Sequence, residues 1–132
     1  MKKTRLHKKR KVSSPLQLAK DEAWAVFSKC IRNRDNYKCY TCQSSGGLMN
    51  AGHFWHGVLD FDEENIHCQC VGCNHFKSGN LAVYASNLIR DMGIKKFKAL
   101  EIRHHRDKMS GKKEIQYYLD IIEKYKLWKQ LI

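Results

Sequence analysis

A chain of 132 residues with 25 Lys and Arg against 13 Asp and Glu fits one small domain, whose core lies near the lower limit of what hydrophobic burial alone stabilises. Its formal charge of +12 calls for a polyanionic partner. No run approaches the roughly 18 apolar residues of a transmembrane helix and no apolar segment follows the basic start, so the composition argues against membrane insertion or secretion and predicts a soluble intracellular protein.

Seven of the basic residues stand among the first twelve (Lys2, Lys3, Arg5, Lys8, Lys9, Arg10, Lys11), with no acid between them. This defines a basic flexible tail over 1–13, ahead of a single domain over 14–132. Such a tail serves as a solvated arm, a localisation signal or a phosphate contact. The positive surplus that persists outside it favours phosphate contact.

In chain order, Ser14 and Pro15 read as N-cap and first helical residue. Leu16, Ala19, Ala23, Trp24, Phe27, Cys30 and Ile31 then recur at helical spacing, predicting a first helix from Pro15 to Arg34. Asp35-Asn36 ends it, and Cys39-x-x-Cys42 follows. "SSGG" at 44–47 signals a turn before a short apolar strand, Leu48 to Trp55, which Gly57 breaks. An acidic loop over 60–64 leads into a second strand, Asn65 to Gln69, and then Cys70-x-x-Cys73. Helical sequence runs from Asn74 to Ser78, where Gly79 supplies a stop. Further helices are predicted over Leu81 to Met92, Ile94 to His105 and Lys112 to Leu131. The last carries Ile115, Tyr118, Leu119, Ile122, Tyr125 and Trp128 on one side, a stripe that either packs on the first helix or joins two copies of the chain as a homodimer. The expected class is α+β, a hairpin–helix core surrounded by helices.

In a reducing compartment six cysteines serve as metal ligands or small buried hydrophobes sooner than as disulfides. Spacing separates the two uses. Cys39, Cys42, Cys70 and Cys73 form two pairs, each short enough for both sulfurs to reach one tetrahedral Zn²⁺, while Cys30 and Cys68 fit neither pair and read as packed thiols. Four thiolates leave zinc no open position, so this ion is structural.

"AGH" at 51–53, Asn65 and "CNHFK" at 73–77, bracketed by the C-x-x-C pairs, resemble an HNH nuclease with the ββα-metal fold. More closely, "AGHF", "DFDEENIHCQC" and "CNHFKSGN" resemble the NinG, or Rap, family of phage recombination proteins, structure-specific endonucleases of branched DNA. The likeness spans about Ala23 to Gly93 and is strongest from Ala51 to Asn80. The cysteine pairs with Asn directly after the last Cys are also similar to phage endonuclease VII, a Holliday-junction resolvase.

The resemblance implies a zinc-stapled ββα-metal core, a catalytic Mg²⁺ or Mn²⁺, and DNA as substrate. It implies His53 as general base, Asn65 as the residue bracing the loop that aims His53, and Asn74 as a ligand of the catalytic ion, giving an H-N-N variant. An imidazole suits proton removal from water near neutral pH, and an amide oxygen is a hard ligand suited to Mg²⁺. Asn74 also reads as a helix N-cap. Many HNH enzymes place Asp or His just before the base, where this chain has Gly52, so a second metal ligand must come from elsewhere. His67 is the first candidate, because strand alternation sets it on the face of Asn65. Asp60, Asp62, Glu63 and His56 are the alternatives.

Lys77, one turn after Asn74, is placed to approach the scissile phosphate or its neighbour, or else stays solvated. Lys95, Lys96, Lys98, Arg103, Arg106, Lys108, Lys112 and Lys113, against only Glu101 and Asp107 over the same stretch, form either a second phosphate-backbone contact or a solvated face. Trp55 wedges into a branch point or packs on the zinc knuckle, with packing favoured. The expected function is a metal-dependent endodeoxyribonuclease of branched or recombining DNA, of the Holliday-junction or D-loop type, leaving 3′-hydroxyl and 5′-phosphate ends in the cytoplasm of a phage's bacterial host. A less selective HNH nickase and a non-catalytic zinc module binding nucleic acid are the rival readings.

Overall fold

The computed structural model describes residues 10–131, with side chains through Trp128. The basic tail before Arg10 lies outside the described residues, and residues 10–14 are exposed without regular structure. Helix α1 spans Pro15–Arg34. Ser14 Oγ accepts a bond from the Gln17 N–H at 3.2 Å, and Pro15 sits where a missing N–H costs nothing. Ala19, Ala23, Phe27, Cys30 and Ile31 line its buried face. The last helix, Ile115–Leu131, lies along that face with Tyr118, Ile121, Ile122 and Tyr125. Phe27 and Tyr125 meet edge to face, ring centroids 4.8 Å apart, and Cys30 Sγ lies 3.5 Å from the Tyr125 carbonyl oxygen. Tyr118, Ile122 and Tyr125 of the terminal stripe are therefore packed inside the chain, while Ile115 and Leu119 stay exposed.

Strands β1 (Met49–His53) and β2 (Ile66–Cys70) pair antiparallel, with Met49 opposite Cys70 and His53 opposite Ile66. β1 ends two residues before the expected Trp55 because Asn65 captures the chain there. Its Oδ1 accepts from the Trp55 N–H at 2.8 Å, and its Nδ2 donates to the Trp55 carbonyl at 3.1 Å. β2 begins and ends one residue later than predicted.

Alternation gives the ribbon two faces. Ala51 and Ile66 join the core under α1, and Met49 and Cys68 pack with Cys39 and Cys73. Gly52, His67 and Gln69 stand on the other face, beneath Tyr84, whose hydroxyl donates to the Gly52 carbonyl at 2.8 Å. A short π-type turn, Gly72–Phe76, follows β2 and closes through the Lys77 N–H to the Gly72 carbonyl at 2.9 Å. It begins two residues before the predicted start, so Asn74 sits inside the turn and is not its cap.

Helix α2, Leu81–Met92, and helix α3, Ile94–Met109, cover the second face through Tyr84, Leu88 and Leu100, with Tyr40, Phe54, Trp55 and Phe97 packed against them. Gly93, at φ 82°, turns the chain between them. α3 runs a turn beyond the expected His105, and the terminal helix, here α4, begins at Ile115, three residues after the predicted Lys112. Trp55 packs, as favoured, but on α3 and not on the knuckle: it stacks on His104, centroids 4.1 Å apart at 11°. The class is mixed α+β, helices on both sides of a small ribbon. Among the described residues no helix is long and apolar enough to cross a membrane.

Phe27, fully buried, ties α1 to α4. Phe27→Ala is expected to cost about 3–5 kcal/mol, read as a lower denaturant midpoint at unchanged zinc content.

Candidate functional site

The four sulfurs of Cys39, Cys42, Cys70 and Cys73 lie within 4.8 Å of one another, Cys42 and Cys70 at 3.7 Å. Zinc at about 2.3 Å from each would set edges of about 3.8 Å, so the cluster can hold a zinc ion. Each knuckle turns a backbone N–H onto its first sulfur, Cys42 onto Cys39 at 3.5 Å and Cys73 onto Cys70 at 3.4 Å. Burial pushes the Cys39 thiol up, yet the Cys42 N–H, the Thr41 hydroxyl and further backbone donors outweigh it and hold the thiol at about 6. The donor set thus favours thiolate, the form that binds metal. Burial raises Cys73 to about 11, a proton that metal must displace. Cys68 is fully buried outside the set, a packed thiol raised to about 11 by burial.

His53 stands at the end of β1. Its ring stacks on Trp24, centroids 5.1 Å apart at 14°, and its Nε2 lies 3.3 Å from Asp60 Oδ1, close but off hydrogen-bond alignment. Contact with His53 holds the Asp60 carboxyl below its ordinary range. Asp60, expected as a spare metal ligand, is therefore the partner of His53. The His56 ring is 6.0 Å from that of His53, and burial together with His53 lowers its pKa. Asn65 is fully buried and spans the loop after β1: besides Trp55, its Nδ2 donates to the Leu59 carbonyl at 3.2 Å, and its own carbonyl accepts from the Phe54 N–H at 2.8 Å.

His67 departs from expectation. Its ring stacks on Tyr40 at 3.9 Å and its Nδ1 lies 3.3 Å from the Tyr84 hydroxyl. Burial pulls its pKa down to about 4, as befits a neutral ring in an aromatic slot; its described partners are these tyrosines, not Asn74. Around Gly52 the neighbours are instead amides. A Cβ built there would overlap Gln69 Oε1 and stand 3.0 Å from Asn74 Oδ1. Sequence reasoning passed over Gln69, which alternation alone reads as one more strand residue. The remaining acids are also engaged: Asp62 and Glu64 pair with Arg103 at 3.0 and 3.2 Å, and Glu63 accepts from the Tyr125 hydroxyl at 2.6 Å.

Those pairs correct the basic-face expectation too, since Arg103 is spent tying α3 to the acidic loop. Lys77, Lys95, Lys96, Lys98 and Arg106 are exposed. Lys113 pairs with Asp107 at 3.2 Å. A cleft of about 470 Å³ opens beside Asp60, with Lys20, Lys108, Lys112 and Tyr117 on its walls.

The family model described as "NinG: Bacteriophage Lambda NinG protein" matches residues 1–131. The chain belongs to the NinG family. It is similar to Protein ninG of Enterobacteria phage H19B, 40% identical over 93 residues, and of Escherichia phage lambda, 36% over 91. Each alignment covers 64% of this chain and 45% of the relative, so the chain spans about half the length of the curated relatives it matches. No solved structure matches.

Elemental analysis of this NinG-family chain is expected to find one zinc per chain, lost in Cys39→Ser and Cys70→Ser. Stripping the ion with a chelator is expected to lower the thermal midpoint by more than 10 °C, because structural zinc contributes on the order of 10 kcal/mol.

Proposed function

We propose that this NinG-family chain is an HNH-type, metal-dependent endonuclease of branched or recombining DNA, similar in plan to endonuclease VII. The observation that carries the reading is the placing of three residues along one short unit of backbone. A histidine ends the first strand, an asparagine braces the loop behind it, and a second asparagine, directly after the last cysteine, brings its amide oxygen up beneath Gly52, all on one strand–loop–strand–turn unit.

On this reading His53 removes the proton from the attacking water. With Nε2 3.3 Å from Asp60 Oδ1, the carboxylate is near enough to stabilise the imidazolium that forms. Stacking on Trp24 fixes the ring plane, and Asn65 holds the loop that carries Asp60. Strand alternation sends His53 and the Gly52 site to opposite faces of the ribbon. They are neighbours at a strand end, and the reading requires a backbone phosphate seated across that edge. Asn74 Oδ1 is the ligand offered to Mg²⁺ or Mn²⁺, an ion that supplies charge relief on the phosphoryl and departing 3′ oxygens. Cleavage then leaves 3′-hydroxyl and 5′-phosphate ends.

The exposed Lys77, Lys95, Lys96, Lys98 and Arg106 hold flanking phosphates, and Lys20, Lys108 and Lys112 line a cleft leading to Asp60. Their positive charge favours DNA as partner. Two coordinated cuts would suit a homodimer, and the similarity to phage proteins suggests action inside a phage's bacterial host.

The test is a labelled four-way junction, beside linear duplex of matching sequence, with Mg²⁺ or Mn²⁺. Cleavage of the junction is expected, reduced on the order of 10²–10⁴-fold by His53→Ala. Equal cutting by parent and variant would remove His53 from the mechanism, equal cutting of linear duplex would make the protein a nickase, and no cutting with any metal would favour a zinc module that only binds DNA.

A further inference from the structure

We propose that Gln69 Oε1 and Asn74 Oδ1 together form the divalent-cation site, with Gln69 standing in for the acidic ligand that position 52 lacks. The inference rests on the nuclease reading above and specifies how its metal is held.

Gln69 is fully buried, and its amide can point only one way. Nε2 donates to the Gly79 carbonyl at 2.9 Å and to Thr41 Oγ1 at 3.2 Å. A backbone carbonyl only accepts, so the nitrogen must face Gly79 and the oxygen must face Gly52. That oxygen is buried and has no hydrogen-bond partner among the described residues. An acceptor taken out of water without a donor is costly, and native folds rarely keep one without a purpose.

Gly52 supports the same conclusion. It lies in β1 with an ordinary strand conformation, so the backbone does not demand glycine there. The space does: any Cβ would overlap Gln69 Oε1. The same point lies 3.0 Å from Asn74 Oδ1, so two amide oxygens converge where the missing side chain would begin. Two facing acceptors repel unless a cation, or a donor from one of them, comes between. Hard oxygen donors are what Mg²⁺ and Mn²⁺ select. The other nearby candidates are engaged: His67 between Tyr40 and Tyr84, Asp62 by Arg103, and Glu63 by Tyr125.

A site built from two neutral amides supplies no charge, which must come from the substrate. Cation binding is therefore weak in the free protein and tightens when a DNA phosphate completes the shell, so metal and DNA bind with positive coupling.

The experiment is a Mn²⁺ titration of the zinc-loaded, full chain, followed by NMR line broadening and without DNA. The side-chain amides of Gln69 and Asn74 and the backbone N–H of Gly52 are expected to broaden first. Asn74→Ala and Gln69→Ala are each expected to weaken Mn²⁺ binding by about tenfold or more. Gly52→Asp combined with Gln69→Ala, which exchanges one oxygen donor for another in the same space, is expected to restore it. Broadening centred on Asp60–Glu64, or on no residue, would overturn the proposal, as would folded Asn74→Ala with unchanged Mn²⁺ affinity; the amide pair would then be simply hydrogen-bonded. Junction cleavage alongside such a result would leave the nuclease reading standing, whereas broadening at Gln69 and Asn74 with no cleavage under any metal would keep the cation site and end that reading.

Discussion

Two strands of five residues bury too little to persist in water unaided, and in this chain the ribbon endures because both its ends are held. At one end four sulfurs within 4.8 Å of each other, a set that can hold zinc, bring the loop before β1 up to the turn after β2. At the other, Asn65 ties the two strand ends and the intervening loop with hydrogen bonds to Trp55 and Leu59. Helices cover both faces, but they pack on a geometry that these two clamps have already set. Arg34, the last residue of α1, and Asp35, its C-cap, add to it. Asp35 accepts the Cys68 N–H at 2.8 Å, and the Arg34 guanidinium donates to the Glu63 and Ile66 carbonyls, each at 2.8 Å.

That constraint explains why the polar residues cluster as they do. A ribbon one residue thick puts neighbours on opposite faces, so His53 turns to Trp24 and Asp60 while Gly52 opens toward Gln69 and Asn74. On the proposed reading, base and metal approach a phosphate from two sides of one strand end. The rigidity comes from outside the pair: Tyr84 holds the Gly52 carbonyl, and the Gly79 N–H holds the carbonyl of Cys73, the residue that precedes Asn74. A side chain placed on backbone this restrained needs little reorganisation to meet its substrate.

Charge is distributed with a similar division of labour. The acidic loop looks in isolation like a metal-binding or solvated segment. In the fold its carboxylates are divided among His53, Arg103, Tyr125 and Lys124, so it fastens α3 and α4 to the ribbon while keeping one carboxylate for the histidine. The lysines left exposed on α3 and beside the Asp60 cleft then contribute a positive field with few local counter-charges, which is the electrostatic setting a phosphate backbone requires.

The sequence by itself determined whatever depends on local spacing. The extent of α1 follows from the cap at Ser14 and a 3.6-residue apolar period, the four-cysteine cluster that can hold zinc from two C-x-x-C pairs, the packed thiols Cys30 and Cys68 from their misfit to those pairs, and the family likeness from contiguous motifs around His53, Asn65 and Asn74. Only the tertiary structure decided which side chains meet across the chain. His67 and Gln69 share a strand face by the same alternation, yet Tyr40 and Tyr84, brought in from a knuckle loop and α2, absorb the histidine and leave the glutamine oxygen facing Gly52. Arg103 and Asp60 likewise found partners some 41 and 7 residues away in sequence. Periodicity reports the direction a side chain takes from its own backbone; what waits there is set by the packing of elements distant in sequence, and no local pattern encodes it.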